Sequence, residues 1–310
     1  MSQSVLPTYE LVTTAMSTTV SVQIIGEHPK ASALAAESLG WFALVEQTCT
    51  RFDAHSELMQ LCAAEPVPTV VSPLLFELLR LARSVADASH GAFDPTVGAR
   101  VHQLGFDRPW RGGPALPAPI AEHDISWRDV ELEESTSSVL LRRPLLLDLG
   151  AIAKGFAIDL AARTLASVAH ACINAGGDLW CRGLNAKGEP WRTGIVHPRD
   201  EKNRLATLQV RANEFAICTS GDYARRTARG HHLVDPRAHG GSAALCQSVT
   251  VVAPQAAIAD ALATAAFVLG PREGANLLTS QGVDGCLVDA HGDVHLVHGW
   301  GMSEWDLAAR

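Results

Sequence analysis

Hydrophobic and polar residues alternate from Thr18 to Ile25, "TTVSVQII", the two-residue period of a half-buried strand. From Pro29 to Thr48 the apolar positions fall at helical spacing and leave a polar face. "TRFDAHSEL" breaks both periods and reads as a loop. Ser72 followed by Pro73 is an N-cap with proline in the first turn, which predicts a helix to about Ser89, where the glycine and proline of "HGAFDPTVGA" stop it. "LLLDLGAIAKGFAIDLAARTL", Leu145 to Leu165, begins as a buried strand and ends as a helix. Strands on either side of "NAKGEP", Asn185 to Pro190, predict one hairpin, and "CLVDAHGDVHLV" predicts a second. Further on, the strand "SVTVVA" runs into an alanine-rich helix that reaches Gly270. Hairpins recur among mixed strands and helices, so the expected class is α+β, a largely antiparallel sheet with packed helices, and not a doubly wound parallel sheet. Neither an internal repeat nor a clear linker interrupts the pattern, so residues 1–310 read as a single domain.

Composition narrows the function classes. With 47% hydrophobic and 19% charged residues the chain can bury a large core. A formal charge of -8 gives no global basic surface, which argues against a nucleic-acid backbone as the main partner. The N-terminus has no basic region followed by an apolar core, and no run of about 18 apolar residues suggests a membrane span, so the chain reads as soluble and cytoplasmic. Seven scattered cysteines without C-x-x-C spacing fit neither a disulfide framework nor a zinc site. The Pro/Gly-rich segment Arg108 to Pro119 reads as a surface spacer.

Candidate chemistry gathers at glycine-rich seams. "GAFDPTVGA", "DLGAIAKG", "NAGGDLW" and "TSGDYARR" each set glycine beside a polar or acidic residue at an element boundary. Singly, each is a turn or a tight packing point; together they suit close backbone approach to phosphate oxygens. None matches G-x-x-x-x-G-K-[ST] or G-x-G-x-x-G, so a P-loop or Rossmann site is not expected. Lys154 lies at the seam between apolar elements and needs an anion, because a buried unpaired lysine is costly. Asp260 and Thr264, four residues apart on one helix face, offer a carboxylate and a hydroxyl to a hard cation such as Mg2+; the alternative is a capping Asp260 and a back-bonded Thr264. Among 13 histidines, His232 in "HHLVDP" stands out, just ahead of an acid and a proline.

The ordered set "GAFDPTVGA", "LDLGAIAKGFAID", "INAGGD", "TSGDY", "HHLVDP" and "SVTVVAP…ADALATA" resembles the ApbE-like FAD:protein FMN transferase family, from about Met16 to Gly270. The resemblance implies a T-fold-type α+β architecture. It also implies Mg2+-dependent cleavage of FAD, transfer of FMN to a Thr or Ser hydroxyl of an acceptor protein carrying a flavinylation motif, and release of AMP. By the same resemblance Met16, Phe52, Ala92, Phe93, Asp94, Asp148, Lys154 and Val234 contact FAD, and Lys154 faces its phosphates. Asp260, Thr264 and the backbone carbonyl of Ala151 hold the metal, and His232 takes the proton of the acceptor hydroxyl. Three departures from the family pattern are the lack of the N-terminal lipoprotein signal that many relatives carry, from which a cytoplasmic acceptor is expected, Ser17 in "MST", where relatives have glycine, and "AHGG", Ala238 to Gly241, after "DPR". Rival functions are a Mg2+-dependent FAD pyrophosphatase, a non-catalytic FAD-binding protein and a flavin oxidoreductase.

Overall fold

The computed structural model describes residues 5–109, 112–115, 124–223, 226–227, 230–237 and 245–308. Among these, an eight-stranded sheet forms the centre, ordered Thr8–Ala15, Thr18–Ile25, His170–Ala175, Asp178–Arg182, Glu214–Gly221, Cys246–Ala253, Asp284–Asp289 and Val294–His298. Every ladder in it is antiparallel. The strand Thr18–Ile25 has the bounds that alternation predicts, with Val20, Val22 and Ile24 fully buried.

Six helices accompany the sheet in the described residues: α1 (Ala31–Cys49), α2 (Glu57–Ala63), α3 (Pro73–Ala88), α4 (Gly98–Gln103), α5 (Ala153–Thr164) and α6 (Ala256–Ser280). In α3 the Ser72 hydroxyl accepts the Leu75 N–H, Pro73 stands in the first turn and Ser89 closes the end, as the sequence predicts. Helix α5 packs between α1 and α6, and α6 lies on the strands Glu214–Gly221 and Cys246–Ala253. Its first half is buried almost all round, and its small alanines allow close approach to α5. At Gly270, with φ of 82°, and Pro271 the helix kinks.

Elsewhere on the sheet, a three-stranded antiparallel sheet of Arg192–His197, Asp200–Val210 and Ser303–Leu307 packs Ile195, Ala206 and Leu208 against Cys172, Cys181, Phe215 and Ile217. All seven cysteines are free thiols. No helix among the described residues is long and apolar enough to cross a membrane.

Two local expectations are corrected. Leu145, Leu146, Leu147 and Leu149 are buried, but residues 145–149 form no strand; their backbone bonds to the "AFDPTVG" loop, Asp148 N–H to the Pro95 carbonyl at 2.8 Å and Gly98 N–H to the Leu146 carbonyl at 3.1 Å. Gly98 is required there because a Cβ would overlap the Leu146 carbonyl. The turn at Asn185–Pro190 does close, through a Leu184–Pro190 bridge and the Asn185 side chain, but the flanking strands join different sheets. Strand Asp178–Arg182 is already paired on both edges, so Arg192–His197 pairs with Asp200–Val210 instead. The second predicted hairpin, Asp284–Asp289 with Val294–His298, forms. Of the spacer, residues 112–115 are exposed; residues 110–111 and 116–119 lie outside the described set, as do Ala238 to Gly241.

Candidate active site

The N-terminal halves of α5 and α6 are tied by three hydrogen bonds, two given by α6 and one given by α5. Asp159 of α5 accepts the N–H groups of Ala256 at 2.8 Å and Ala257 at 2.9 Å, capping α6 from outside. Burial pushes its carboxyl up to about 6, against the pull of those two donors. In return, Asp260 of α6 accepts the Gly155 N–H at 3.0 Å. Only glycine fits at position 155, because a Cβ would overlap the Ala256 carbonyl.

This clamp sets Lys154 beside two buried carboxylates. Its ammonium pairs with Asp178 and lies 3.7 Å from Asp260. Asp178 is itself oriented by the Thr219 N–H at 3.0 Å, and the next residue, Ser220, shares a 3.0 Å hydrogen bond with Thr264. The seams "DLGAIAKG", "NAGGD" and "TSGD" thus converge with the Asp260–Thr264 helix face. Asp260 does not cap its own helix but accepts a first-turn N–H of α5, so the capping alternative holds in part; the Thr264 hydroxyl engages Ser220 and not the backbone of its own helix.

The donor set suits a hard cation. One ammonium against two carboxylates leaves a negative charge over, and the facing side chains offer only oxygen. Asp260 also takes the Gly155 N–H, the donor that a continued helix would give to the Ala151 carbonyl. Among the described residues no group of three or more His, Cys, Asp or Glu is placed for a metal, so phosphate or water oxygens would have to complete the shell, as Mg2+ tolerates.

A second group surrounds Asp148. Its Oδ2 accepts Arg51 Nε at 2.7 Å and its Oδ1 accepts the Gly150 N–H at 2.8 Å. The Arg51 guanidinium lies 4.3 Å over the ring of half-buried Phe52. Ala92 and Phe93 are buried. Asp94, also buried, accepts the Thr96 N–H and hydroxyl and the Trp127 N–H; burial pushes its carboxyl up while these donors pull it back.

Met16 and Ser17, with φ of 49° and 64°, turn the first hairpin, and the Met16 N–H reaches Glu46 at 2.8 Å. The following Thr18 lies against Gly176, where a Cβ would overlap its side chain, which brings this turn beside the "NAGGD" seam. His232 meets Phe106 edge-on with ring centroids 6.1 Å apart, whereas His231 packs on Phe267 of α6 at 5.7 Å. Beyond Val234, the Asp235 and Pro236 carbonyls accept Arg100 Nη1, at 3.3 and 2.6 Å.

Among the residues in these clusters that sequence reasoning leaves unassigned are Arg51, Asp159, Asp178 and Ser220. Asp178 and Ser220 stand inside seams already recognised, and the need of Lys154 for an anion was the signal for Asp178. Nothing local marks Arg51 as buried.

The model of the ApbE family matches residues 16–288. The chain is 32% identical over 312 residues to a Treponema pallidum (strain Nichols) protein named FAD:protein FMN transferase, covering 90% of this chain and 84% of that one. A protein of the same name from Klebsiella pneumoniae (strain 342) is 29% identical, with 86% and 80% covered. Among solved structures, the Thermotoga maritima ApbE protein superimposes with a TM-score of 0.82 at 26% identity, over 95% of this chain and 98% of the other.

Proposed function

Because the chain belongs to the ApbE family, we propose that it is a FAD:protein FMN transferase, which moves FMN from FAD to a Thr or Ser hydroxyl of an acceptor protein and releases AMP. The observation that carries the reading is the oxygen-lined, net-negative cluster around Lys154, where three glycine-rich seams meet the Asp260–Thr264 face of α6.

In this reading Asp260, Thr264 and the Ala151 carbonyl hold Mg2+. The ion would neutralise charge on the phosphate oxygens of FAD. Lys154, a quarter exposed and held between Asp178 and Asp260, is the chain's own cation for the pyrophosphate. Met16, Phe52, Ala92, Phe93, Asp94, Asp148 and Val234 line the FAD site, with Phe52 offering its ring to the flavin. Fixing both ends of FAD places the scissile bond for in-line attack. The acceptor oxygen bonds to the FMN phosphorus, the P–O bond to the AMP half breaks, and AMP leaves with the bridging oxygen. The hydroxyl proton passes to His232, because an imidazole is the side-chain type suited to taking a proton near neutral pH.

Incubating the protein with FAD and Mg2+, with and without an acceptor peptide, tests this reading. Acceptor-dependent AMP supports it. Equal AMP and free FMN in both reactions would make the protein a pyrophosphatase, and intact bound FAD would leave a flavin-binding protein.

A further inference from the structure

We propose that Arg51 is a positioning residue that sets the flavin-contacting side chains and the His232 segment as one unit; the inference rests on the FAD site described above. Arg51 is only 5% exposed, and a buried guanidinium is costly unless its donors are used. Its Nε goes to Asp148, 97 residues away in sequence, and its Nη2 goes to the Phe106 carbonyl at 2.5 Å, 55 residues away. Its flat face covers Phe52. The Phe106 backbone that it holds carries the ring that meets His232. One planar fork therefore joins three chain segments, each bearing a residue assigned to the reaction or packed against one.

The arrangement is not that of a group kept for stability alone. Nη1 is buried without a hydrogen-bond partner among the described residues, a cost that a well-packed apolar side chain would avoid. The fork geometry is what a lysine cannot reproduce, since a single ammonium does not span two acceptors in fixed directions while lying flat on an aromatic ring.

The test uses Arg51→Lys, which keeps the charge and removes the fork, with equilibrium FAD titration and thermal unfolding read on the same protein. The expected result is FAD affinity lower by about tenfold or more in a folded variant. A folded Arg51→Lys that binds FAD like the wild type overturns the proposal. Phe106→Leu, which keeps the carbonyl for Arg51 and drops the ring that meets His232, supplies the second arm even if the first variant does not fold. It should slow FMN transfer about tenfold while FAD affinity stays within about twofold; an unchanged transfer rate overturns the link to His232. FAD affinity is read without turnover, so wild-type AMP release tests the transferase reading separately.

Discussion

Gly155 donates its backbone N–H to the carboxylate of Asp260, 3.0 Å away, so the first turn of α5 is fastened to the α6 residue that also faces Lys154. With Asp159 capping α6 in the other direction, the two helix starts hold each other. The lysine and the carboxylates are thus placed by backbone geometry as well as by their own charges.

Gly155→Ala would drive a Cβ into the Ala256 carbonyl and pry the helices apart. The expected cost is about 1–3 kcal/mol in a urea unfolding titration, with weaker FAD binding in the folded fraction. Wild-type stability in this variant would mean that the helices tolerate separation.

Asp260→Ala removes the carboxylate assigned to Mg2+. AMP release should fall by about a hundredfold or more while FAD binding changes far less. Undiminished AMP release would remove Asp260 from the metal site.

His232→Ala should slow FMN transfer by about a hundredfold, within the range expected for loss of a general base, and leave Mg2+-dependent FAD binding intact. A transfer rate equal to the wild type would assign proton removal elsewhere.

Asp159 gives a pH signature. Its carboxyl is raised from 3.8 to about 6 in the native state, so between those values the folded protein keeps a proton that the unfolded chain has lost. The stability contributed by that proton is fully present below about pH 4 and is lost as pH rises through about 6. Comparison with Asp159→Asn cancels the other titrating groups. The wild type's stability relative to this variant should fall by up to about 3 kcal/mol between about pH 4 and about pH 7. A pH-independent difference in denaturant titrations would show that the carboxyl is not raised.

Local signals were strong enough to reveal several elements. Ser72 and Pro73 define the start of α3, and the four-residue spacing of Asp260 and Thr264 puts both on one face of α6. The partners of these residues are set by topology, which the local pattern does not encode. Asp178 meets Lys154 because its strand is central in the sheet beneath α5 and α6, and Arg51 meets Asp148 across 97 residues of sequence. The apolar run Leu145–Leu149 reads as a strand because burial alone gives the same pattern, whether the backbone bonds to a neighbouring strand or, as here, to the "AFDPTVG" loop. Similarly, the Asn185–Pro190 turn is visible locally, but the sheet that each flanking strand joins depends on which edges are already taken.

The most direct measurement of the central claim is the mass of an acceptor protein after incubation with this protein, FAD and Mg2+. The account predicts that a Thr or Ser of the acceptor gains the mass of one FMN less one water, in equal amount to the AMP released. AMP matched by free FMN, with the acceptor unchanged, would contradict it.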